Sequence, residues 1–205
     1  MRRCLCAGFL AAALLALPKG AALGQAVTTD WPCVQRLVPE LALGQVWSGP
    51  PASGHGWQTD PETASLALEL AGRKMPLDAA GEAIGSFAAG VPADHRAARL
   101  ADLAKGVLEL INGARADMIR GIRRYAQRQQ ALATRIAEES HELKGLPPGR
   151  GSEVPPELAE RKEQRDWDLR VYEDRQALLR QLCEEPVLLE QRAFALGRMM
   201  AGNLP

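Results

Sequence analysis

The side chains best suited to chemistry in this 205-residue chain are four cysteines, three histidines and the pair Met199-Met200. Their spacing restricts what they can do. Cys4 and Cys6 lie in an apolar N-terminal stretch, which leaves Cys33 and Cys183 for the body of the protein. These two form no C-x-x-C, so a thioredoxin-like couple is not expected, and the C-x-x-C-H of an attached haem is missing. An even pair of distant cysteines in an exported chain predicts a structural disulfide. Glu138-Glu139-Ser140-His141 contains Glu-x-x-His, which in di-iron bundles sets carboxylate and imidazole on one helical face. Such a centre needs a second copy, but Pro92 stands three before His95 and Ala52 three before His55. A solvated helix face is therefore expected there, and no metal site. Met199 and Met200 are soft enough to ligate copper, but in an apolar segment they read as core filler.

Hydrolase and nucleotide signatures are absent. There is no G-x-S-x-G and no P-loop, and Gly145 stands where His141-Glu142 would need a second histidine for H-E-x-x-H. Neither enzymatic activity nor a cofactor is expected. Acids and bases balance at 25 each over the whole chain. Residues 1–26 contain Arg2, Arg3 and Lys19 but no acid, so their removal leaves 22 bases against 25 acids, a net charge of −3. A nucleic-acid partner would call for the opposite sign.

Those first residues read as a secretory signal. Arg2 and Arg3 are followed by the 13-residue apolar run from Leu5 to Leu17, by Pro18, and by small residues around Ala22, Gly24 and Ala26. The run falls short of the ~20 residues that span a bilayer. Cleavage near Gly24 or Ala26 and residence in the periplasm or outside the cell are expected.

The elements that position the remaining residues are helical. Aromatics make up only 4% of the chain, and Ala, Leu, Arg and Glu dominate, which argues for an all-α fold. Residues 27–60 show no helical period and are rich in Pro and Gly, yet hold Trp31, Trp47 and Trp57. They predict an extended arm that buries its tryptophans against a helical body and is tied down by Cys33. Asp60-Pro61-Glu62 signals a helix start, running to about Arg73. A second helix follows Pro76, with Leu77, Ala80, Ile84 and Phe87 on one face and Gly90 as its stop. The two read as one αα-hairpin, with Gly81 and Gly85 admitting another helix at close range.

From Asp94, read as an N-cap, to about Lys144 no proline interrupts the chain. Apolar positions step through Leu100, Leu103, Val107, Leu110, Ala114, Met118, Ile122, Tyr125, Gln129, Leu132, Ile136, Glu139 and Leu143. This is a heptad seam with a stutter between Leu110 and Ile122. A breaker-rich turn follows at 145–152. The last helix opens at Pro155-Pro156 and carries Leu158, Arg165, Leu169, Tyr172, Gln176, Leu179 and Cys183 on its seam, with Pro186 expected to kink or break it. Pairing Leu143 with Leu158 sets Arg128 against Glu173 and Asp174, Arg135 against Asp166, Glu138 and Glu139 against Arg161 and Lys162, and Cys183 beside Met118.

The expected architecture is a small helical bundle, residues 61–118 with 183–205, from which an antiparallel coiled-coil hairpin of residues 119–182 projects. The basic run Arg120, Arg123, Arg124 is assigned to the acidic last helix in preference to a peripheral membrane contact. Gln129, Arg165 and Gln176 on the seam leave room for a second copy.

The segments Trp31-Pro32-Cys33-Val34-Gln35-Arg36, Val46-Trp47-Ser48-Gly49-Pro50 and Cys183 to Arg192 (CEEPVLLEQR) resemble a group of uncharacterised exported helical proteins of proteobacteria. The resemblance implies an exported, disulfide-bonded protein and brings no activity with it. The functional expectation is a non-enzymatic interaction or scaffold protein of the cell envelope. Its hairpin tip, Leu143, Leu146, Pro147 and Pro148, would meet a protein partner. A ligand- or metal-binding helical bundle is the alternative.

Overall fold

A computed structural model describes residues 30–52, 56–145 and 155–205. The expected signal segment, His55, and tip residues Leu146, Pro147 and Pro148 lie outside them. The described residues contain no strand. They form α1 (Leu43–Val46), a 3-10 turn (Trp57–Thr59), α2 (Pro61–Ala71), α3 (Leu77–Gly90), α4 (Ala93–Gly145) and α5 (Pro156–Ala201). The fold is an all-α bundle.

Local signals set the helix starts. At α2 the Asp60 carboxylate accepts the Thr63 backbone N–H at 3.1 Å, while the Thr63 hydroxyl and the Arg99 guanidinium close on the same oxygen. Bonding to the Thr63 hydroxyl holds the Asp60 carboxyl below its ordinary value, against the opposing pull of burial, with Arg99 lowering it further. Asp60→Ala should cost about 0.5–2 kcal/mol. A depressed carboxyl stabilises fully above the unfolded pKa of about 3.9 and loses its contribution as pH falls through the lower folded value. Urea titrations should therefore show the gap between wild type and variant shrinking below about pH 4. A constant gap from pH 7 to pH 2.5 would contradict this role. The expected Asp94 cap is corrected: α4 begins two residues earlier, at Ala93, with the Pro92 carbonyl accepting from His95 and Arg96 at 3.0 and 2.9 Å. Asp94 lies in the first turn, where a negative charge suits the helix dipole.

The expected αα-hairpin is also corrected. α2 packs chiefly on α4, and α3 on the C-terminal part of α5. Ala80, Ile84, Phe87 and Ala88 form the buried face of α3, whereas Leu77 at its start is exposed. A Cβ at Gly81 would stand 3.8 Å from Met199 Sδ, and one at Gly85 4.0 Å from Asn203 Oδ1, both ordinary contact distances. The close approaches lie elsewhere. A Cβ at Gly106 would come within 2.7 Å of the Trp57 indole, and one at Gly197 would overlap the Val46 carbonyl. Gly81→Ala should thus raise stability by up to ~1 kcal/mol through helix propensity. Gly197→Ala should lower it by about 1–3 kcal/mol through overpacking. Thermal melts that rank these two variants the other way would contradict the packing.

The main core joins Leu100, Leu103, Val107 and Ile111 of α4 to Leu189, Leu196 and Met200 of α5, with Leu70 of α2 and Ile84 of α3. Met199 and Met200 are part of this packing, as filler. Arg192 donates to the Leu70 carbonyl at 2.8 Å, serving the C-terminal end of α2, whose last carbonyls lack helical partners. Of the expected kink or break at Pro186 the break is not found, since α5 continues through it as one helix. Proline removes one helical hydrogen bond, and here tertiary contacts offset it: Arg115 donates to the Pro186 carbonyl at 3.2 Å and Cys183 is anchored one turn earlier.

The described part of the arm includes two short helical turns, α1 and the 3-10 turn at Trp57–Thr59, where no helical period was expected. Trp47 and Trp57 are buried in the main core, with their indole N–H groups donating to the Pro50 carbonyl and to Glu109 at 2.7 Å. The extended backbone is held by side chains of α4. Asn112 bonds both the N–H and the carbonyl of Leu41, and Arg115 bonds the Val38 carbonyl at 3.0 Å.

Candidate functional site

Beyond the core, α4 and α5 continue as an antiparallel pair. From Ile122 to Gly145 this is about 35 Å at helical rise. Their register follows the expected pairing: Gln129 Nε2 donates to the Tyr172 carbonyl at 3.1 Å, and the Tyr125 hydroxyl to that of Arg175 at 3.3 Å. At the root of the pair Cys33 and Cys183 are bonded, with Cα atoms 5.6 Å apart. Around them pack Ile122, Leu179, Trp31, Tyr125 and Leu182. The three arm tryptophans are thus dispersed, Trp31 here and the other two in the main core, rather than gathered into a ligand cage.

The seam differs from expectation at two places. On α4 the buried line at the stutter runs through Leu108, Ile111, Arg115 and Ile119, while Ala114 is exposed. On α5 Asp168 is buried and Leu169 faces outward at 41% exposure. Both corrections put a charge where an apolar residue was expected. Asp168 is drawn inward by Arg135, whose Nη2 lies 2.6 Å from its carboxylate. Arg115, 2% exposed, binds Glu190 at 3.3 Å besides the carbonyls of Val38 and Pro186. No sequence signal separated these two from solvated neighbours of the same type.

None of the expected pairs of the charge ladder is formed. Arg135 meets Asp168 rather than Asp166, and Arg161 meets Glu142 at 3.2 Å rather than Glu138 or Glu139. Arg128 forms no ion pair with Glu173 or Asp174. The basic run is likewise not matched by α5: Arg120 pairs with Asp117 on its own helix and Arg123 with Asp30 of the arm at 3.1 Å. Arg120, Arg124 and Arg128, four residues apart, occupy an exposed face of α4.

The two broad sides of the pair are unlike. One is partly covered by the arm at Asp30 and Pro32, and holds a groove of about 410 Å³ between Gln130, Tyr172 and Gln176. Gln129, 3% exposed, lines this groove, and its Oε1 has no hydrogen-bond partner. The other side is uncovered. Trp167 (57% exposed) and Leu178 (45%) stand on it, with the half-buried Val171 between them. Leu143, the one described residue of the expected tip, is half-buried beside a small groove with Glu139 and Gln164. Glu138 and His141 are exposed. Among the described residues no three His, Cys, Asp or Glu side chains are grouped to hold a metal ion.

Fold and surface together define a disulfide-tied helical bundle with an extended antiparallel helix pair. No family model matches the chain, and neither a curated protein nor a solved structure matches it. The disulfide is compatible with a periplasmic or extracellular setting. Among the described residues no helix is long and apolar enough to cross a membrane.

Proposed function

We propose that this is an exported, non-enzymatic interaction or scaffold protein of the cell envelope, in which a stable base presents the α4–α5 hairpin to a protein partner. The observation that carries the reading is the division of the long helices. Their core-facing parts bury a contiguous apolar cluster, whereas their outer parts bury only Ile119, Ile122, Leu132, Leu179 and Cys183 as apolar side chains, next to Gln129 and Asp168. A helix pair so poor in internal core contributes little to the stability of the base, because helices gain most from packing an apolar face. An outward length of this kind suits reach and contact. The secretory signal at residues 1–26, with cleavage near Gly24 or Ala26, belongs to the same reading.

The test is a chain lacking residues 119–182, with Met118 joined to Cys183 by a short turn. A base that keeps its helical circular dichroism and melts cooperatively, while the full-length protein alone retains its envelope partner on co-purification, is the expected result. A deletion product that unfolds would make the hairpin a structural element instead. The alternative, a ligand-binding bundle, has one observation in its favour: the polar groove beside Gln129.

A further inference from the structure

We infer that the groove between the arm and the α4–α5 pair is a binding site for a neutral saccharide, with Gln129, Tyr172 and Gln176 as its recognition groups. At about 410 Å³ the groove falls within the range of small-ligand sites, about 300–1,000 Å³. It lies where the helix seam turns polar. Apolar residues stabilise a heptad seam and a polar one costs stability, yet Gln129 stands on the seam of α4, and Tyr172 and Gln176 on that of α5. Gln129 is 3% exposed, and its Nε2 donates to the Tyr172 carbonyl at 3.1 Å. That bond fixes the amide and leaves Oε1 buried without a donor. Buried acceptors are nearly always paired, so an unpaired one beside a groove calls for a donor from whatever fills the groove.

The chemistry of the walls identifies the ligand class. Gln127 and Gln130 add two further amides, and every amide carries donors and an acceptor side by side. The Tyr172 hydroxyl oxygen accepts from Gln176 Nε2 at 2.7 Å, which leaves the hydroxyl hydrogen to donate. Of the lining side chains only Asp30 is charged, and Arg123 holds it in an ion pair at 3.1 Å. A charged ligand thus meets no free counter-charge on the walls. Sugar hydroxyls, each both donor and acceptor, match amides and a phenol. Tyr172 and Pro32 supply apolar surface for the C–H face of a sugar ring. An extended peptide fits less well, because it is read by an open strand edge, and the described residues contain no strand. The groove lies toward the root of the hairpin, so this inference stands apart from the tip contact proposed above.

Saturation-transfer NMR on the oxidised, signal-free protein tests it, against a panel of neutral mono- to tetrasaccharides with sialyllactose and trialanine as acidic and peptide controls. The expected result is a neutral saccharide bound with a Kd of about 1 mM or below, and amide shifts centred on Gln129, Tyr172 and Gln176. Gln129→Leu separates ligand binding from packing. Leucine suits the seam, so the thermal midpoint should hold or rise while affinity falls by about tenfold or more. No neutral saccharide bound at about 10 mM would overturn the proposal, as would a preference for sialyllactose or trialanine. So would binding that Gln129→Leu leaves unchanged. A Gln129→Leu variant that loses its thermal midpoint along with binding would make Gln129 a structural seam residue, and the proposal would fall with it.

Discussion

Replacing Cys33 and Cys183 with serine is expected to lower the unfolding free energy by up to about 5 kcal/mol. The bond closes a chain segment of sequence separation 150, and the entropy released to the unfolded chain grows with the logarithm of that length. The same change loosens the arm selectively. Around the disulfide the arm is held by the Trp31 cluster and by the Asp30–Arg123 ion pair, both shallow. Further along, Asn112 and Arg115 clamp Leu41 and Val38, and the indoles of Trp47 and Trp57 are buried. Urea denaturation of the oxidised protein and the double serine variant measures the first effect. Amide exchange in residues 30–36 against 41–47 measures the second, with fast exchange expected only in the former. A stability difference below about 1 kcal/mol would show that the bond does little to constrain the unfolded chain.

Arg115→Met is expected to cost about 1–3 kcal/mol, the range for leaving buried acceptors without their donor, because the Glu190 left behind is partly exposed. The guanidinium joins three parts of the chain: the Val38 carbonyl of the arm, the Pro186 carbonyl within α5, and Glu190. Burial pulls its pKa below the ordinary arginine value, and the Glu190 charge pulls it back up. Methionine fills similar space but leaves the Val38 carbonyl without a donor and Glu190 without its cation. Arg115→Lys should also lose stability, because an ammonium group cannot reproduce the planar fork that reaches three acceptors. Chemical denaturation of both variants checks the point. A methionine variant as stable as wild type would mean that apolar packing alone fills the site.

Local chemistry makes much of the fold legible in the sequence. Asp60-Pro61 marks the start of α2 because a carboxylate and a ring-fixed φ both act within one turn. The antiparallel register of α4 and α5 was readable from Leu143 and Leu158 because a heptad period fixes which residues share a level. Tertiary choices were not legible. Leu169 and Asp168 fit the heptad equally well, and hydropathy favoured the leucine. The structure buries Asp168 because Arg135 lies opposite it. At the stutter the seam had two routes, and the buried one passes through Arg115, whose acceptors come from segments about 70 residues away in either direction. Pro186 reads as a kink or a break for the same reason: what holds α5 together there is contact with α4 and the disulfide, which no local rule contains.

The expected tip is described only at Leu143, while the exposed Trp167 and Leu178 stand in a helix that composition marks as solvated. Trp167 stands two positions after the seam residue Arg165, which on a helix turns it away from α4.

The hairpin, and not the base, is the proposed contact with the partner. Site-specific photo-crosslinking in the native envelope tests it most directly, with the probe at position 146 and, as a control, at the exposed Leu68 of α2. The expected result is one dominant adduct with another protein from position 146 and none from Leu68. Adducts containing only this chain, or equal labelling from both positions, would contradict it.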